Sequence, residues 1–517
     1  MPEATKKRGL LVALILFVLV LLALILRCRG ISDRWLDWDE AFMLALARLT
    51  VPVLIKTISV IDIHPPGAHL LLHGWVSLFG ESDAAVRLFS VFFGLLGIAG
   101  TYLLALKISR SQKIAVLTAL LTVVSPFVTG FSRMVTIHGV FYTLSVWSWV
   151  LLLALLEKYS WQRLVLYALI TLWMLYTETT APVVVVSQMV FWGFQWRLLS
   201  GSLRKAMPAL AVFFAVAYLP WVWLIAQPWH ASHMAEMSLV HPAADISTLL
   251  WAPADLFWRG SDFWFLPQPP ALDDWLIFGL PGTALLLAAA YFVWKKEASG
   301  RMPIVCLGLL PIAMLFAVAM MTGRHVFQYR AMIFAVMGLN LMVSVWIVSG
   351  SGLNKSLNKS WKQALVVLLI LGFQTFGWQL EAANHTRFLE TVRDVRAGFR
   401  SGDGLIVYPG WMHIGVMRYF DPPRYGFTPN ELNLDPRRGN LFHMVNLIDD
   451  RDFFVSGEDI LKRSDVQQAL QAFMAKHPRI WVLGMSDMIR PYFRCDRDYM
   501  ILGNDGRYRQ VRCPQRS

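Results

Sequence analysis

Three carboxylates and two indoles crowd into the stretch Trp35 to Glu40, where Asp37, Asp39 and Glu40 interleave with Trp35 and Trp38. Indoles settle at membrane–water interfaces, so this cluster holds acid at the headgroup level. A second cluster follows at Asp62-Ile63-His64-Pro65-Pro66-Gly67. Pro65 suits the first turn of a helix, where its missing N–H costs nothing. Solvated loop acids and a helix start would explain either cluster alone. Two clusters in one loop, with His64 in the second, point to chemistry, because a bilayer edge penalises charge that has no use. A carboxylate there can take a proton from a hydroxyl. Asp62 with His64 can orient an acceptor or hold a divalent cation, Mn²⁺, Mg²⁺ or Zn²⁺. Arg87, Arg133 and Arg330 lie at ends of apolar runs. They fit phosphate, since a guanidinium pairs two oxygens at once, and snorkelling to the interface is their plainer role. His69 and His73 have the spacing of a helical metal pair but no acidic motif beside them, and are read as helix-surface residues. Glu178, in Tyr176-Thr177-Glu178-Thr179, is read as part of a hydrated turn. His230, His233, Glu236, His241 and Asp245, among Trp229, Trp251, Trp258 and Trp264, are read as an interfacial loop.

The elements that hold these residues follow from hydropathy. The chain of 517 residues is 56% hydrophobic and 16% charged, outside the range of soluble domains. Apolar runs of spanning length occur near 10–26, 86–106, 114–129, 137–156, 164–177, 181–196, 206–225, 275–294, 303–321, 331–349 and 364–380, about eleven in all. The expected fold is an integral membrane all-α bundle. Its first run is an uncleaved anchor, preceded by Lys6, Lys7 and Arg8 and followed by Arg27-Cys28-Arg29, with no small-residue cleavage site. Alternate loops carry the basic residues, from Lys107, Arg110 and Lys113 through to Lys355, Lys359 and Lys362, opposed only by Glu3, Glu157 and Glu297. The net charge of +13 is therefore topological, and no nucleic-acid partner is expected. Positive loops stay inside, so the N-terminus is cytoplasmic and the segments 27–85, 226–274 and 381–517 face outward from the plasma membrane.

Residues 1–380 thus form a transmembrane domain whose long outward loop, 27–85, carries the chemistry. Residues 381–517 mix helical stretches, Thr386 to Phe399 and Asp459 to Ala475, with strand-like runs, Gly404 to Tyr408 and Arg479 to Leu483. They read as a small soluble α/β domain outside the cytoplasm. Cys495 and Cys513 share it, either bonded or as two thiols, and no metal-type cysteine spacing occurs.

Residues 35 to 110 resemble the dolichyl-phosphate-mannose protein mannosyltransferase and aminoarabinose transferase superfamily of C-type (GT-C) glycosyltransferases. Its motifs have counterparts in Asp39-Glu40 after the first span, Asp62-Ile63-His64-Pro65-Pro66, the aromatic helix Trp75 to Gly80, and Arg87 opening the second span. Weaker echoes are Ser125-Pro126 before Phe131-Ser132-Arg133, Pro220-Trp221, and Phe327-Gln328-Tyr329-Arg330. The chain departs where relatives often have Glu, Arg and Tyr, at Met134, Thr136 and His138, and where they have His, at Glu178. The resemblance implies a membrane enzyme that moves a sugar from a polyprenyl-phosphate donor to a hydroxyl of an extracytoplasmic acceptor, be it protein, lipid A or polysaccharide. It makes Asp39 the general base, with Glu40 the substitute and Asp62 a further acid, and sets His64, Arg87, Arg133, Tyr329 and Arg330 on the substrates. The rival class is a multi-span transporter or lipid-linked oligosaccharide flippase, which would carry ionisable residues deep within its spans. These spans are almost free of them.

Overall fold

A computed structural model describes residues 3–33, 35–227, 246–258, 279–296, 301–322, 327–349, 364–372, 374, 386–408, 413–426, 448–450, 453–455, 464–484, 499–502 and 508–511. The membrane region is helical. Helices α1 (Glu3–Cys28), α5 (Asp83–Ser109), α6 (Gln112–Val124), α7 (Pro126–Phe131), α8 (Ile137–Glu157), α9 (Trp161–Leu175), α10 (Ala181–Phe194) and α11 (Gly201–Ile225) follow the apolar runs. Among the described residues, five helices are long and apolar enough to cross a membrane: α5, α8, α11, Arg301–Thr322 and Arg330–Ser349. The other apolar helices are shorter, among them Trp161–Leu175 and Leu280–Lys295. The run expected over 114–129 breaks at Ser125, whose side chain caps α7 with Pro126 at the first helical position. The run at 364–380 is described only over 364–372 and 374. Lys355, Lys359, Lys362, Cys495, Cys513 and the residues at 228–245 and 259–278 lie outside the described residues.

Several polar side chains inside the bundle bond to one another, which a medium without water favours. The Tyr167 hydroxyl donates to Gln188 Oε1 at 2.8 Å, Gln188 donates to Ser148 Oγ at 2.8 Å, and Ser148 meets Thr171 at 2.8 Å. Helices Arg301–Thr322 and Arg330–Ser349 cross at Gly308 and Gly338, where a Cβ on Gly338 would stand 2.5 Å from the Gly308 nitrogen. Only glycine allows backbones that close. Buried Arg27 donates to the Val123 carbonyl at 3.2 Å, in the last turn of α6, where a cation complements the helix dipole.

Between α1 and α5 the described residues form three short helices, α2 (Trp38–Ala47), α3 (Val51–Ile61) and α4 (Gly67–Phe79). The tail builds a six-stranded sheet of β1 (Gly404–Tyr408), β2 (Ile448–Asp450), β3 (Phe453–Val455), β4 (Ile480–Gly484), β5 (Tyr499–Leu502) and β6 (Tyr508–Val511), in the order β2-β3-β1-β4-β5-β6. Strands β3, β1, β4 and β5 pair in parallel, and the two edge pairs are antiparallel. Helices Thr386–Gly398, His413–Phe420 and Ser464–Lys476 accompany the sheet. Strand β1 is apolar throughout its centre because both its faces are covered, as parallel strands require.

The tail is joined to the outward loop by direct bonds. Arg418 pairs with Asp83 at 2.6 Å, and the Tyr419 hydroxyl donates to Asp83 at 2.7 Å while accepting from the Leu36 N–H at 2.5 Å. The Tyr425 hydroxyl donates to the Ala41 carbonyl at 2.7 Å, and Arg48 donates to the Tyr425 carbonyl at 2.8 Å. Residues 413–426 therefore seat the start of α2.

Candidate active site

The start of α2 separates its acids by helix geometry. Asp37 is the N-cap, accepting from the Glu40 N–H at 2.9 Å, and Glu40 returns the bond by accepting from the Asp37 N–H at 3.2 Å. This capping box satisfies helix-end donors on both sides. Glu40 also receives Arg87 at 2.9 and 2.7 Å and the Val135 N–H at 3.0 Å. Arg87 fills its remaining donors with the carbonyls of Ile31, at 2.8 Å, and Trp35, at 2.6 Å. The two side chains are 1% and 0% exposed. Glu40 and Arg87 thus form a buried, closely bonded pair between the loop and α5. Arg133 lies apart too, its guanidinium donating to the Arg29 carbonyl.

Asp39 takes no part in the cap. Its side chain is 22% exposed and meets Arg330, itself 13% exposed, at 3.4 Å. Arg330 is steadied from behind by Gln328, whose Oε1 accepts from its Nε at 2.8 Å. Tyr329 beside it is buried. Burial pushes the Asp39 carboxyl up to about 6, against the pull of the Arg330 and His64 charges. A carboxylate in that range takes a proton from an incoming hydroxyl near neutral pH better than an ordinary aspartate does.

The second motif meets the first through the turn between α9 and α10. The Gly67 N–H donates to the Tyr176 carbonyl at 2.6 Å, and a Cβ on Gly67 would stand 2.3 Å from that oxygen. Thr179 donates to the Ile63 carbonyl at 3.2 Å, and Thr180 to the Ala331 carbonyl at 3.3 Å. The turn thereby brings Glu178 between His64 and His138. His64 Nδ1 lies 2.8 Å from Asp62, His64 Nε2 lies 3.5 Å from Glu178 Oε1, and His138 Nδ1 lies 3.3 Å from Glu178 Oε2. His64 is 20% exposed; Glu178 and His138 are buried behind it.

Charges in this row support one another. Burial opposes the His64 imidazolium, but Glu178 and Asp62 outweigh it and raise its pKa. Burial likewise opposes ionised Asp62, yet the His64 charge and hydrogen bonds hold its carboxyl well below the usual range. Glu178 is held low against burial by His64, His138 and Arg330. His69 is buried near Asp62 and not on a helix surface, and burial pushes its pKa down to about 4. His73 bonds the Ala47 carbonyl at 2.8 Å. The Asp62–His64 pair that the sequence offered to a cation has Nδ1 of the ring 2.8 Å from Asp62 and Nε2 3.5 Å from Glu178. Among the described residues no group of three or more His, Cys, Asp or Glu side chains is arranged to hold a metal ion.

The sequence missed Glu178 and His138 as neighbours of the motif. The signal available was a carboxylate and a histidine at the outward ends of two spans, which is the reasoning that singled out Asp39 and Asp62.

The site agrees with comparisons to known proteins. Residues 63–223 match the family of dolichyl-phosphate-mannose-protein mannosyltransferases. The fold is similar to that of the archaeal oligosaccharyltransferase AglB from Archaeoglobus fulgidus, solved with an inhibitory peptide and a dolichol-phosphate. The TM-score is 0.54 at 11% identity over 98% of this chain and 74% of that one. It is also similar to ArnT from Cupriavidus metallidurans bound to undecaprenyl phosphate, with a TM-score of 0.50 at 13% identity over 82% of this chain and 88% of that one. No curated protein sequence matches the chain. The family model matches less than half of the chain, and the two solved structures share its fold.

Proposed function

We propose that the protein transfers a sugar from a polyprenyl-phosphate donor to a hydroxyl of an acceptor outside the plasma membrane, with Asp39 as general base. The observation that carries this reading is the Asp39–Arg330 pair, a half-open carboxylate and guanidinium 3.4 Å apart at the outward end of the bundle. Asp39 takes the proton of the acceptor hydroxyl as its oxygen attacks the anomeric carbon. The bond from that carbon to the phosphate oxygen breaks, and the electron pair leaves with the polyprenyl phosphate. Arg330 and the His64 imidazolium face the charge that develops there, the role that preorganised cations serve best in a site screened from water. The residues 27–85 are the catalytic loop, and 381–517 an extracytoplasmic domain next to it.

The likeness to two structures solved with polyprenyl phosphates supports the donor class. Mass spectrometry of lipid-linked sugars and surface glycans tests it, in cells lacking the protein and complemented with wild type or Asp39→Asn at equal membrane levels. The expected result is one glycoform restored by wild type alone, with its lipid-linked donor accumulating in the Asp39→Asn cells. Full restoration by Asp39→Asn would show that another group is the base and bring the transporter reading forward.

A further inference from the structure

The row Asp62–His64–Glu178–His138 does more than fill space. A histidine is a cation near neutral pH only when its surroundings hold the proton on it, since an unperturbed imidazole loses its charge in that range. Here Asp62 takes one ring nitrogen of His64 at 2.8 Å and Glu178 faces the other at 3.5 Å. The two carboxylates arrive differently. Asp62 lies two residues away in the same motif, whereas Glu178 is carried in by a turn between spans that Gly67, Thr179 and Thr180 fasten to the loop and to the Arg330 segment. The second oxygen of Glu178 faces His138 at 3.3 Å, so the carboxylate lies between two imidazoles. Buried this fully, Glu178 costs stability unless its charge is used.

We infer that Glu178 is a positioning residue of the transferase, whose buried carboxylate, lying between His64 and His138, favours a positive charge on His64 for the donor phosphate. The inference rests on the reading of the site given above. Around His64 the titratable and charged groups are Asp62 and Glu178, with Arg330, His138, His69 and Asp39 beyond them. Arg330 and the other two imidazoles oppose a charge on His64, and Asp62 shares its position in the loop. Glu178 is therefore the carboxylate whose loss leaves His64 with one acid against a guanidinium.

The test is binding of undecaprenyl phosphate to the full-length protein in nanodiscs at about pH 6 and about pH 8, on either side of the ordinary imidazole value. Wild type, Glu178→Gln, and Glu178→Gln combined with His64→Lys are compared. Each variant is read against wild type at the same pH, because Asp39 and the phosphate of the ligand themselves titrate at about 6. Glu178→Gln binds as wild type at the lower pH and roughly tenfold more weakly at the higher, the loss expected of one cation on a phosphate. His64→Lys restores binding at the higher pH, because an ammonium needs no carboxylate to stay charged. A Glu178→Gln protein that binds as wild type at both values overturns the inference. So does a loss equal at both values and not relieved by His64→Lys, which marks a purely structural residue. Failure of wild type to bind undecaprenyl phosphate at all counts instead against the donor class, and so separates the two readings.

Discussion

Asp39 and Glu40 are neighbours in sequence, and each faces an arginine, yet the two pairs are built differently. Glu40 and Arg87 are sealed, with every arginine nitrogen bonded and the glutamate shared by a helix cap and the Val135 N–H. Asp39 and Arg330 stand farther apart and remain partly open. One step along a helix turns the side chain by about 100°, which suffices to send one carboxylate into the scaffold and the next toward the cleft. The difference teaches that an acid–arginine pair reports chemistry only when it retains hydrogen-bonding capacity and access. A saturated pair reports support.

This contrast can be broken from either side. Arg87→Ala should have the largest effect on folding, because it leaves Glu40 buried without its cation. A loss of about 3–5 kcal/mol is expected, read as a lowered melting temperature and a reduced yield in membranes. A protein that keeps both would show the pair to be dispensable. Arg330→Gln should destabilise less than Arg87→Ala, since its pair is partly open, and slow transfer by about 10²-fold or more, as for removal of one charge-stabilising donor. If it melts like Arg87→Ala, the two pairs are not different in kind.

The pH dependence sharpens the same contrast. Asp39 must be ionised to act as base, so transfer should fall as the pH drops through about 6, the value to which burial raises its carboxyl. Arg330 lowers that value, so Arg330→Gln should move the acid limb to higher pH. An acid limb that stays in place would separate Asp39 from Arg330. The smallest effect is expected at the seat of α2. Tyr419→Phe removes the hydroxyl that joins Leu36 to Asp83, and should cost about 1 kcal/mol, seen as a modest drop in melting temperature with transfer largely retained.

Much of this arrangement was legible in the sequence and some was not, for physical reasons. The apolar runs marked the helices because hydrocarbon demands long uncharged stretches, although the break at Ser125-Pro126 shows that a run can contain two helices. Strands β1 and β4 showed themselves as apolar runs buried on both faces. Strands β2, β3, β5 and β6 are only three or four residues long and carry too little pattern to be read. Asp39, His64 and Arg330 could be named from motif and position. The role of Glu178 could not, because it depends on a backbone bond from Gly67 to Tyr176 between segments distant in the chain. The bonding of Glu40 and Arg87 could not be read for the same reason, since saturation is a tertiary property.

The division of labour between the adjacent acids is tested most directly by purifying Asp39→Asn and Glu40→Gln side by side and measuring thermal melting and sugar transfer on each. Asp39→Asn should melt with wild type and lose transfer by roughly 10³-fold, while Glu40→Gln should melt lower and keep, in whatever fraction stays folded, a rate near that of wild type. The reverse result, an active Asp39→Asn beside a stable and inactive Glu40→Gln, would contradict the account.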